Sequence, residues 1–382
     1  MQKVIRGRGS LRKLPDLMKK TGITKPLIIG GQLAGKVRQI PGLEAAPVFS
    51  GYQPNPNLSD APLGAEQYTR YGCDGILSIG GGSAIDTAKA VKACLSAPFQ
   101  AVRENRLPDA SPIRHIAIPG TAGSGAEATA NAVVYENETK KSLSGAILLP
   151  EAVVLDASLL ETLPDYHKKS CALDALSQGI ESYWSAAATD DSRVHAYLAI
   201  LGVLDNLKAY LAGDPHAADE MLDASYQSGK AIYLTRTTAA HAMSYQLTKK
   251  LGLAHGHACF VTLPVLWDWM TERGDEQIGG IMAELSSVMR LGDPRMGSRL
   301  LRGIMIDLGM KIPDMPDRDL LNALVDSVNP ERLGNHPMKL TREDLREIYI
   351  RAFLPLEPNA AQACLDIWNY YGGQKNGGEE GN

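Results

Sequence analysis

Short apolar runs alternate with helical patterns along the first part of the chain. The runs at 25–30 (KPLIIG), 47–50 (PVFS) and 75–79 (GILSI) are continuous rather than alternating, which is typical of parallel strands buried on both faces. A helical stretch through Arg70 separates the second run from the third. Strands that alternate with helices at this spacing predict a parallel sheet covered by helices on both faces.

The pattern changes near residue 165, after the helix-breaking Pro164. Beyond this point long helical patterns follow one another with short loops. We therefore predict an α/β domain over 1–165, an all-α domain over 166–372 and a disordered tail over 373–382, where the sequence is glycine-rich and polar.

A helix without any formal charge is predicted over 237–247, so it is expected to be buried almost all the way round. It nevertheless contains His241. After the helix stop at Gly252, His255 and His257 follow in what we interpret as a glycine-flanked loop. A buried imidazole joined by two more indicates a metal site. Three unrelated histidines, with the first one hydrogen-bonded in a core, fit the same residues.

A second predicted helix, over 167–185, carries a polar stripe made of Asp174, Ser177, Gln178 and Glu181. A solvated face usually mixes Lys or Arg among its acids, and this stripe has neither. We therefore predict that the stripe points inward. An ordinary amphipathic surface helix remains the alternative.

Two strand-to-helix junctions are rich in glycine. The first, GGGSAIDTAKA at 80–90, follows a predicted strand and precedes a predicted helix. Glycines allow a ligand to approach the backbone, and a helix start presents unpaired N–H groups to an anion such as a cofactor phosphate. Ser83 and Asp86 also have the spacing of a capping box, so a purely structural turn is the alternative.

The second junction, HIAIPGTAGSGAE at 115–127, repeats the same order of strand, glycine-rich turn and capping-box spacing, here with Ser124 and Glu127. Two such turns at the ends of neighbouring parallel strands would line one crevice. Open α/β sheets bind their ligands in crevices of this kind.

Composition narrows the class of protein. The 382 residues are 44% hydrophobic and 21% charged, with a net charge of -4, which gives no general attraction for nucleic acid or an acidic membrane surface. The five cysteines are scattered and never form a CxxC pair, which favours free thiols in a reducing compartment. With no signal-like or membrane-spanning apolar run, we predict a cytoplasmic protein.

Over nearly its whole length the chain resembles the iron-containing (group III, metal-dependent) alcohol dehydrogenase family. The motifs that carry the resemblance occur in the family's order: GRGSLRKLP, GGGSAIDTAKA, IPGTAGSGAE, LDASLLETLP, DALSQGIESY and HAMSYQLTKKLGLAHGHA. The resemblance implies a Rossmann-like α/β domain followed by an all-α domain, with nicotinamide and metal in the cleft between them. We also expect a homodimer.

The family's usual metal ligands are one Asp and three His. By resemblance Asp174, His241 and His255 are three of them, the two histidines being fourteen positions apart as in the family. Gln178 stands where most members have the remaining His, and an amide oxygen is a poorer ligand for a transition metal. Glycerol and glycerol phosphate dehydrogenases are similar in using one Asp and two His. The expected metal is iron or zinc, with manganese as a further candidate.

Other family positions are carried over in the same way. Tyr245 replaces a family His four residues after His241 and becomes the candidate proton relay. The cofactor pyrophosphate is expected on the first glycine-rich turn, and Gly31 replaces an Asp that binds the ribose in many NAD-using relatives, which leaves NADH and NADPH open. The full set of expected cofactor residues is Gly31, Gly81, Gly82, Ser83, Thr121, Ser124 and Lys140.

Within the family, the segments SGYQPNPN, TTAAHAMSY and SVNPERLGNHP resemble most closely the phosphonoacetaldehyde reductase branch, and some sulfoacetaldehyde reductases belong to the broader family. The expected reaction is reduction of a small anionic aldehyde. An anionic substrate needs a cationic partner, and we favour Arg236 among the candidates Arg236, Arg332, His257, His336 and Lys339.

Three alternatives remain open on the sequence. The first is a dehydrogenase for uncharged alcohols or diols. The second is a cofactor-binding homologue without catalysis, which Gln178 and Tyr245 would explain. The third is a cyclase of the dehydroquinate synthase type, which shares the broad fold.

Overall fold

The computed structural model describes residues 2–137 and 139–373. The chain divides into two compact units. The first comprises the chain up to Pro164 together with Gly213–Tyr233, and the second comprises Asp165–Ala212 together with the described chain from Leu234 onward. The boundary predicted near residue 165 did not anticipate that 213–233 belong with the first unit. The predicted disordered tail lies outside the described residues except for residue 373, which ends a helix.

Eight strands occur in the described chain, all before residue 156. They are β1 (Lys3–Arg6), β2 (Pro26–Gly30), β3 (Val48–Phe49), β4 (Gly75–Gly80), β5 (Arg114–Pro119), β6 (Asn131–Glu136), β7 (Thr139–Ser144) and β8 (Ala152–Leu155).

Six of the strands form one sheet in the order β1-β8-β5-β4-β2-β3, and every pairing in it is parallel. Strands β6 and β7 form a separate antiparallel hairpin. Both faces of the large sheet are covered: Ile76 of β4 packs in one apolar cluster, and Leu77 and Ile79 pack in another. This burial explains why β2 and β8 are continuously apolar, whereas the edge strand β1 is only partly buried.

Sixteen helices follow one another along the described chain. They are α1 (Leu14–Thr21), α2 (Ala34–Arg38), α3 (Ala61–Arg70), α4 (Gly82–Ser96), α5 (Phe99–Arg103), α6 (Asp165–Trp184), α7 (Asp190–Leu211), α8 (Pro215–Thr235), α9 (Ala239–Leu251), α10 (His255–Arg273), α11 (Glu276–Val288), α12 (Arg295–Asp307), α13 (Arg318–Asp326), α14 (Pro330–Leu333), α15 (Arg342–Phe353) and α16 (Pro358–Gly373).

Helices α1 to α5 and most of α8 belong to the sheet-containing unit, and the remaining helices form the second unit. The predicted fold class, a parallel α/β region followed by a helical region, is confirmed. None of the described helices combines the length and apolarity that crossing a membrane requires.

Both predicted capping boxes are wrong. Helix α4 begins at Gly82 with Gly81 as its N-cap, so Ser83 already lies inside the first turn. The Ser83 hydroxyl instead accepts a hydrogen bond from the Asn55 backbone at 3.3 Å. At the second junction a single 3-10 turn, Ala126–Ala128, replaces the predicted helix. Neither serine caps a helix, although the Ser124 hydroxyl accepts a hydrogen bond from the Ala126 backbone N–H at 3.4 Å.

Candidate metal centre and cofactor turns

The histidines of the predicted metal site lie on helices α9 and α10. Gly252 ends α9 in the left-handed conformation, with φ 68°, as the sequence predicts. Helix α10 begins at His255, so the prediction that His255 and His257 lie in a loop is wrong. Between them, Gly256 packs directly on α6: a Cβ there would lie 2.0 Å from the Ser170 carbonyl oxygen. The missing side chain lets the first turn of α10 reach the face of α6.

Four potential ligand atoms converge in the helical unit. They belong to Asp174 on α6, His241 on α9, and His255 and Cys259 on α10, and all lie within 4.8 Å of one another. His241 Nε2 is 3.3 Å from Asp174 Oδ1, and the two imidazole rings are 5.3 Å apart between centroids. A carboxylate, two imidazoles and a thiol are all transition-metal ligands, so the donor set fits a divalent metal.

Glu181 fixes the orientation of His241. Its Oε2 accepts a hydrogen bond from His241 Nδ1, and its Oε1 accepts from the backbone N–H of Ala240 at 2.9 Å and from the Thr238 hydroxyl at 2.7 Å. The carboxylate therefore also satisfies the first N–H groups of α9. With Nδ1 donating to Glu181, the neutral imidazole keeps its Nε2 lone pair directed to the other donors.

The electrostatics of this pocket favour positive charge. Burial alone lowers the pKa of His241, but Cys259, Glu181 and Asp174 outweigh it and hold the pKa well above its usual value. Burial likewise raises the pKa of Glu181, and His241 and the hydrogen bonds reverse that effect, so the net pKa is lowered. Burial raises the pKa of Cys259, yet the two histidines bring it down to about 6. The negative groups that raise the pKa of His241 would also stabilise a bound divalent cation.

The prediction that the α6 stripe points inward is confirmed. Asp174, Ser177, Gln178 and Glu181 are all buried, none more than 5% exposed. Gln178 follows Asp174 by one turn on the same face, which keeps it a candidate ligand. The surface-helix alternative for this segment is wrong.

Two residues of the centre were missed as functional residues. Glu181 was placed in the stripe, but its contact with α9 joins residues about sixty positions apart and has no local signal. Cys259 had a signal that went unused: it follows His255 by four positions, which puts both on one face when the segment is helical.

Among the predicted substrate-binding residues, Tyr245 and Arg332 lie together. Tyr245 follows His241 by one turn of α9, and the Arg332 guanidinium is 5.2 Å from the centre of its ring. Arg236, in contrast, is exposed, and its backbone takes a left-handed conformation with φ 63° between α8 and α9. Asn335 stabilises that turn, since its amide donates to the carbonyls of Thr235 and Thr237.

The remaining cationic candidates are two buried histidines and one exposed lysine. Burial lowers the pKa of His257, whose Nδ1 is 3.1 Å from the Tyr166 hydroxyl. Burial also lowers the pKa of His336 to about 4, and its ring packs edge-on against Trp184. Burial therefore disfavours the charged form of both imidazoles, and Lys339 is exposed to solvent.

The glycine-rich turns lie side by side in the sheet-containing unit. Strands β4 and β5 pair so that Gly80 is opposite Pro119, and the two turns follow these residues. A Cβ on Gly81 would be 3.2 Å from Thr121, and one on Gly82 would be 3.1 Å from the Ser124 hydroxyl. The two turns therefore lie at the carboxyl ends of neighbouring parallel strands, the end at which open α/β sheets bind their ligands.

A buried lysine of α4 is hydrogen-bonded to the second glycine-rich turn. The Lys89 ammonium donates to the carbonyls of Ala126 and Asn131, both at 2.6 Å, and to the Thr129 hydroxyl at 2.9 Å. Burial lowers its pKa to about 8, and the nearby Asp86 opposes that effect. Lys89 therefore holds the second glycine-rich turn against α4.

The other two expected cofactor residues, Gly31 and Lys140, belong to the same unit. Gly31 follows β2, and a Cβ there would approach only the Tyr52 hydroxyl, at 4.0 Å. Lys140 on β7 is half-buried and lowers the pKa of Asp86, so its ammonium lies near the first turns of α4. A cation near a helix N-terminus adds to its attraction for phosphate.

Residues 1–157 match the family described as iron-containing alcohol dehydrogenase, and residues 169–353 match the C-terminal region of the Fe-containing alcohol dehydrogenase family. The chain belongs to the iron-containing alcohol dehydrogenase family. It is accordingly an NAD(P)-dependent alcohol dehydrogenase or aldehyde reductase. The motifs that carried the resemblance led to the right family.

Individual members of the iron-containing alcohol dehydrogenase family differ in their named substrates. A phosphonoacetaldehyde reductase of Streptomyces viridochromogenes is 31% identical over 374 residues, covering 86% of this chain and 94% of that protein. Lactaldehyde reductase of Escherichia coli is 29% identical over 377 residues, covering 91% and 97%. A solved sulfoacetaldehyde reductase from Bifidobacterium kashiwanohense, in complex with NAD+, has a TM-score of 0.84 at 24% identity, covering 92% of this chain and 97% of that one.

Proposed function

We propose that the enzyme reduces a small anionic aldehyde, sulfoacetaldehyde or phosphonoacetaldehyde, to the corresponding alcohol with NADH or NADPH. The observation that carries the anionic part of this proposal is the Arg332 guanidinium, 5.2 Å from the Tyr245 ring, one helical turn from His241. A guanidinium can bind a sulfonate or phosphonate through two parallel hydrogen bonds, and Arg332 packs on the residue that follows His241 by one turn. The names of two relatives, one reducing phosphonoacetaldehyde and one sulfoacetaldehyde, agree with this chemistry.

We assign metal binding to Asp174, His241 and His255, with Gln178 on the same buried face as Asp174. Iron and zinc are the first candidates, and manganese is the third. When bound, the divalent metal supplies Lewis acidity toward a carbonyl oxygen. Glu181 contributes by holding the His241 ring so that Nε2, and not Nδ1, faces the other donors.

The reaction adds one hydride, supplied by the reduced nicotinamide, to the carbonyl carbon and one proton to the carbonyl oxygen. We assign proton delivery to the Tyr245 hydroxyl, which lies on the same face of α9 as His241. Arg332 orients the substrate by its anionic end. Arg236 and His257 are kept as further candidates, for the anion and for a hydrogen bond to substrate respectively.

We assign the cofactor pyrophosphate to the start of α4, at Gly81, Gly82 and Ser83, with Thr121, Ser124 and Lys140 alongside. Gly31 leaves no carboxylate at the end of β2, so a ribose phosphate meets no repulsion there. We therefore expect both NADH and NADPH to serve.

A panel of aldehydes with two to four carbons tests the proposal. We expect kcat/KM for sulfoacetaldehyde or phosphonoacetaldehyde to exceed that for propionaldehyde and lactaldehyde at least tenfold with either cofactor. A preference for lactaldehyde or for uncharged alcohols and diols would instead favour a dehydrogenase for neutral substrates, which the lactaldehyde reductase relative supports. Cofactor binding without turnover under iron, zinc or manganese would favour the inactive homologue.

Two further expectations remain predictions. A cytoplasmic location agrees with all five cysteines being free thiols. A homodimer is to be checked by light scattering at several concentrations of the purified protein.

A further inference from the structure

We propose that Cys259 is a fourth protein ligand of the metal, so that the centre is formed by one carboxylate, two imidazoles and one thiolate. The inference rests on the metal site of the proposed function and deepens it, because a sulfur donor changes which metal the site prefers. The family's usual ligands, one Asp and three His, include no sulfur donor. The amide of Gln178 has none either.

The position of the sulfur supports this assignment. Cys259 Sγ is 3.8 Å from His255 Nε2 and 3.9 Å from His255 Nδ1, and it lies within 4.8 Å of the ligand atoms of Asp174 and His241 as well. In a tetrahedral site with metal–nitrogen bonds of about 2.0 Å and metal–sulfur bonds of about 2.3 Å, neighbouring donors are roughly 3.5 Å apart. The widest spacing here exceeds that by little more than about 1 Å, which rotation of a side chain can close.

The helix explains why the sulfur reaches this point. Cys259 follows His255 by one turn of α10, so both side chains extend from the same face toward α6 and α9. Gly256 brings that turn against α6, where Asp174 lies. Cys259 is fully buried, and its neighbours on this side are polar metal-binding groups. A cysteine that served only as an apolar core residue would be expected among apolar side chains instead.

A thiolate changes the chemistry of the centre. Sulfur is a softer donor than imidazole or carboxylate, so an Asp, two His and a Cys favour zinc over manganese or iron(II). Gln178 then has no ligand role and is a buried polar residue of the α6 stripe. As the fourth donor, the Cys259 thiolate therefore binds zinc tightly, whereas the Gln178 amide would bind it weakly.

Cobalt(II) reports directly on such a ligand, because a thiolate bound to cobalt gives a near-ultraviolet charge-transfer band. The metal-stripped full-length protein is titrated with Co²⁺, and zinc affinity is then measured by competition. Cys259→Ser is compared with Cys364→Ser, since Cys364 is a buried cysteine of the same unit outside the donor cluster. Gln178→Ala tests the alternative fourth donor.

We expect the band in the unsubstituted protein, in Cys364→Ser and in Gln178→Ala, and its loss in Cys259→Ser together with at least tenfold weaker zinc binding. Cobalt bound without a charge-transfer band, and with equal affinity in the unsubstituted protein and Cys259→Ser, overturns the sulfur ligand but leaves the metal site intact. Failure of the proposed metal site itself looks different: Co²⁺ does not bind, and Asp174→Ala changes nothing. If Cys259→Ser does not fold, the charge-transfer band of the unsubstituted protein still shows whether a thiolate binds the metal.

Discussion

At the scale of single residues, the centre depends on one carboxylate that is not itself in the donor cluster. Glu181 is fully buried and contacts both the His241 ring and the start of α9. The same side chain therefore sets the tautomer of a ligand and the position of the helix that carries it. Removing its charge affects the metal without removing a metal ligand.

We expect Glu181→Gln to weaken metal binding roughly 10- to 100-fold, because an amide no longer holds the Nδ1 proton of His241 as firmly. The measurement is competition for zinc against a chromophoric chelator. Glu127→Gln is the matched control, since Glu127 is an equally buried carboxylate of the sheet-containing unit. Equal losses in the two variants would show that Glu181 acts only through general stability.

A second residue-scale prediction concerns the substrate anion. Arg332→Ala is expected to lower kcat/KM for the anionic aldehydes roughly 10- to 150-fold, which corresponds to about 1.5–3 kcal/mol of transition-state stabilisation, since a hydrogen bond to a charged group is lost. Neutral aldehydes are expected to change less than about threefold. Lys339→Ala serves as the control, because Lys339 is an exposed cation in the same region of sequence.

Arg236→Ala tests the choice made from the sequence in the same assay. The exposure of Arg236 and its left-handed backbone make it a weaker candidate than Arg332. A selective loss for anionic aldehydes in Arg236→Ala, with none in Arg332→Ala, would transfer the role back to Arg236. Equal losses for charged and neutral substrates would remove Arg236 from anion binding.

At the scale of elements, the close approach of α10 to α6 is set by one missing side chain. A Cβ on Gly256 would meet the Ser170 carbonyl oxygen at 2.0 Å and Asp174 Cβ at 2.7 Å. Backbone atoms cannot give way there without moving a helix. His255 and Cys259 would move with α10.

We therefore expect Gly256→Ala to lower the free energy of unfolding by about 1–3 kcal/mol and to weaken zinc binding strongly. Gly279→Ala is the matched control, because Gly279 is an exposed position within α11 where an added Cβ would meet nothing within 4 Å. That variant is expected to be neutral or stabilising by up to about 1 kcal/mol. Chemical denaturation and metal competition measure both effects, and normal metal binding in Gly256→Ala would contradict this account of the helix contact.

Elements differ in how far the sequence predicts them. Strands β2 and β4 were predictable because burial on both faces makes them almost continuously apolar. The β6–β7 hairpin was not predicted, since β7 (TKKSLS) is largely polar and β6 (NAVVYE) is only partly buried. Assigning a loop where α10 begins also hid Cys259: without helical geometry, positions four apart have no shared face.

At the scale of the whole molecule, the two sets of functional residues belong to different units. The glycine-rich turns and their supporting Lys89 belong to the sheet-containing unit, and the four donors belong to the helical unit. Each set is held by contacts within its own unit. Metal binding and dinucleotide binding are therefore expected to be separable by mutation.

We expect Asp174→Ala to abolish the thermal stabilisation that zinc gives the metal-stripped protein, which is about 2.7 kcal/mol at one hundred times the Kd. NADH binding, followed by nicotinamide fluorescence, should change less than about threefold in the same variant, because no residue of the glycine-rich turns is altered. Gly81→Val should do the opposite, since its side chain, at the start of α4, would press against Thr121 while the donors stay in place. A loss of NADH binding in Asp174→Ala as large as the loss of zinc binding would mean that the two units bind their ligands as one cooperative site.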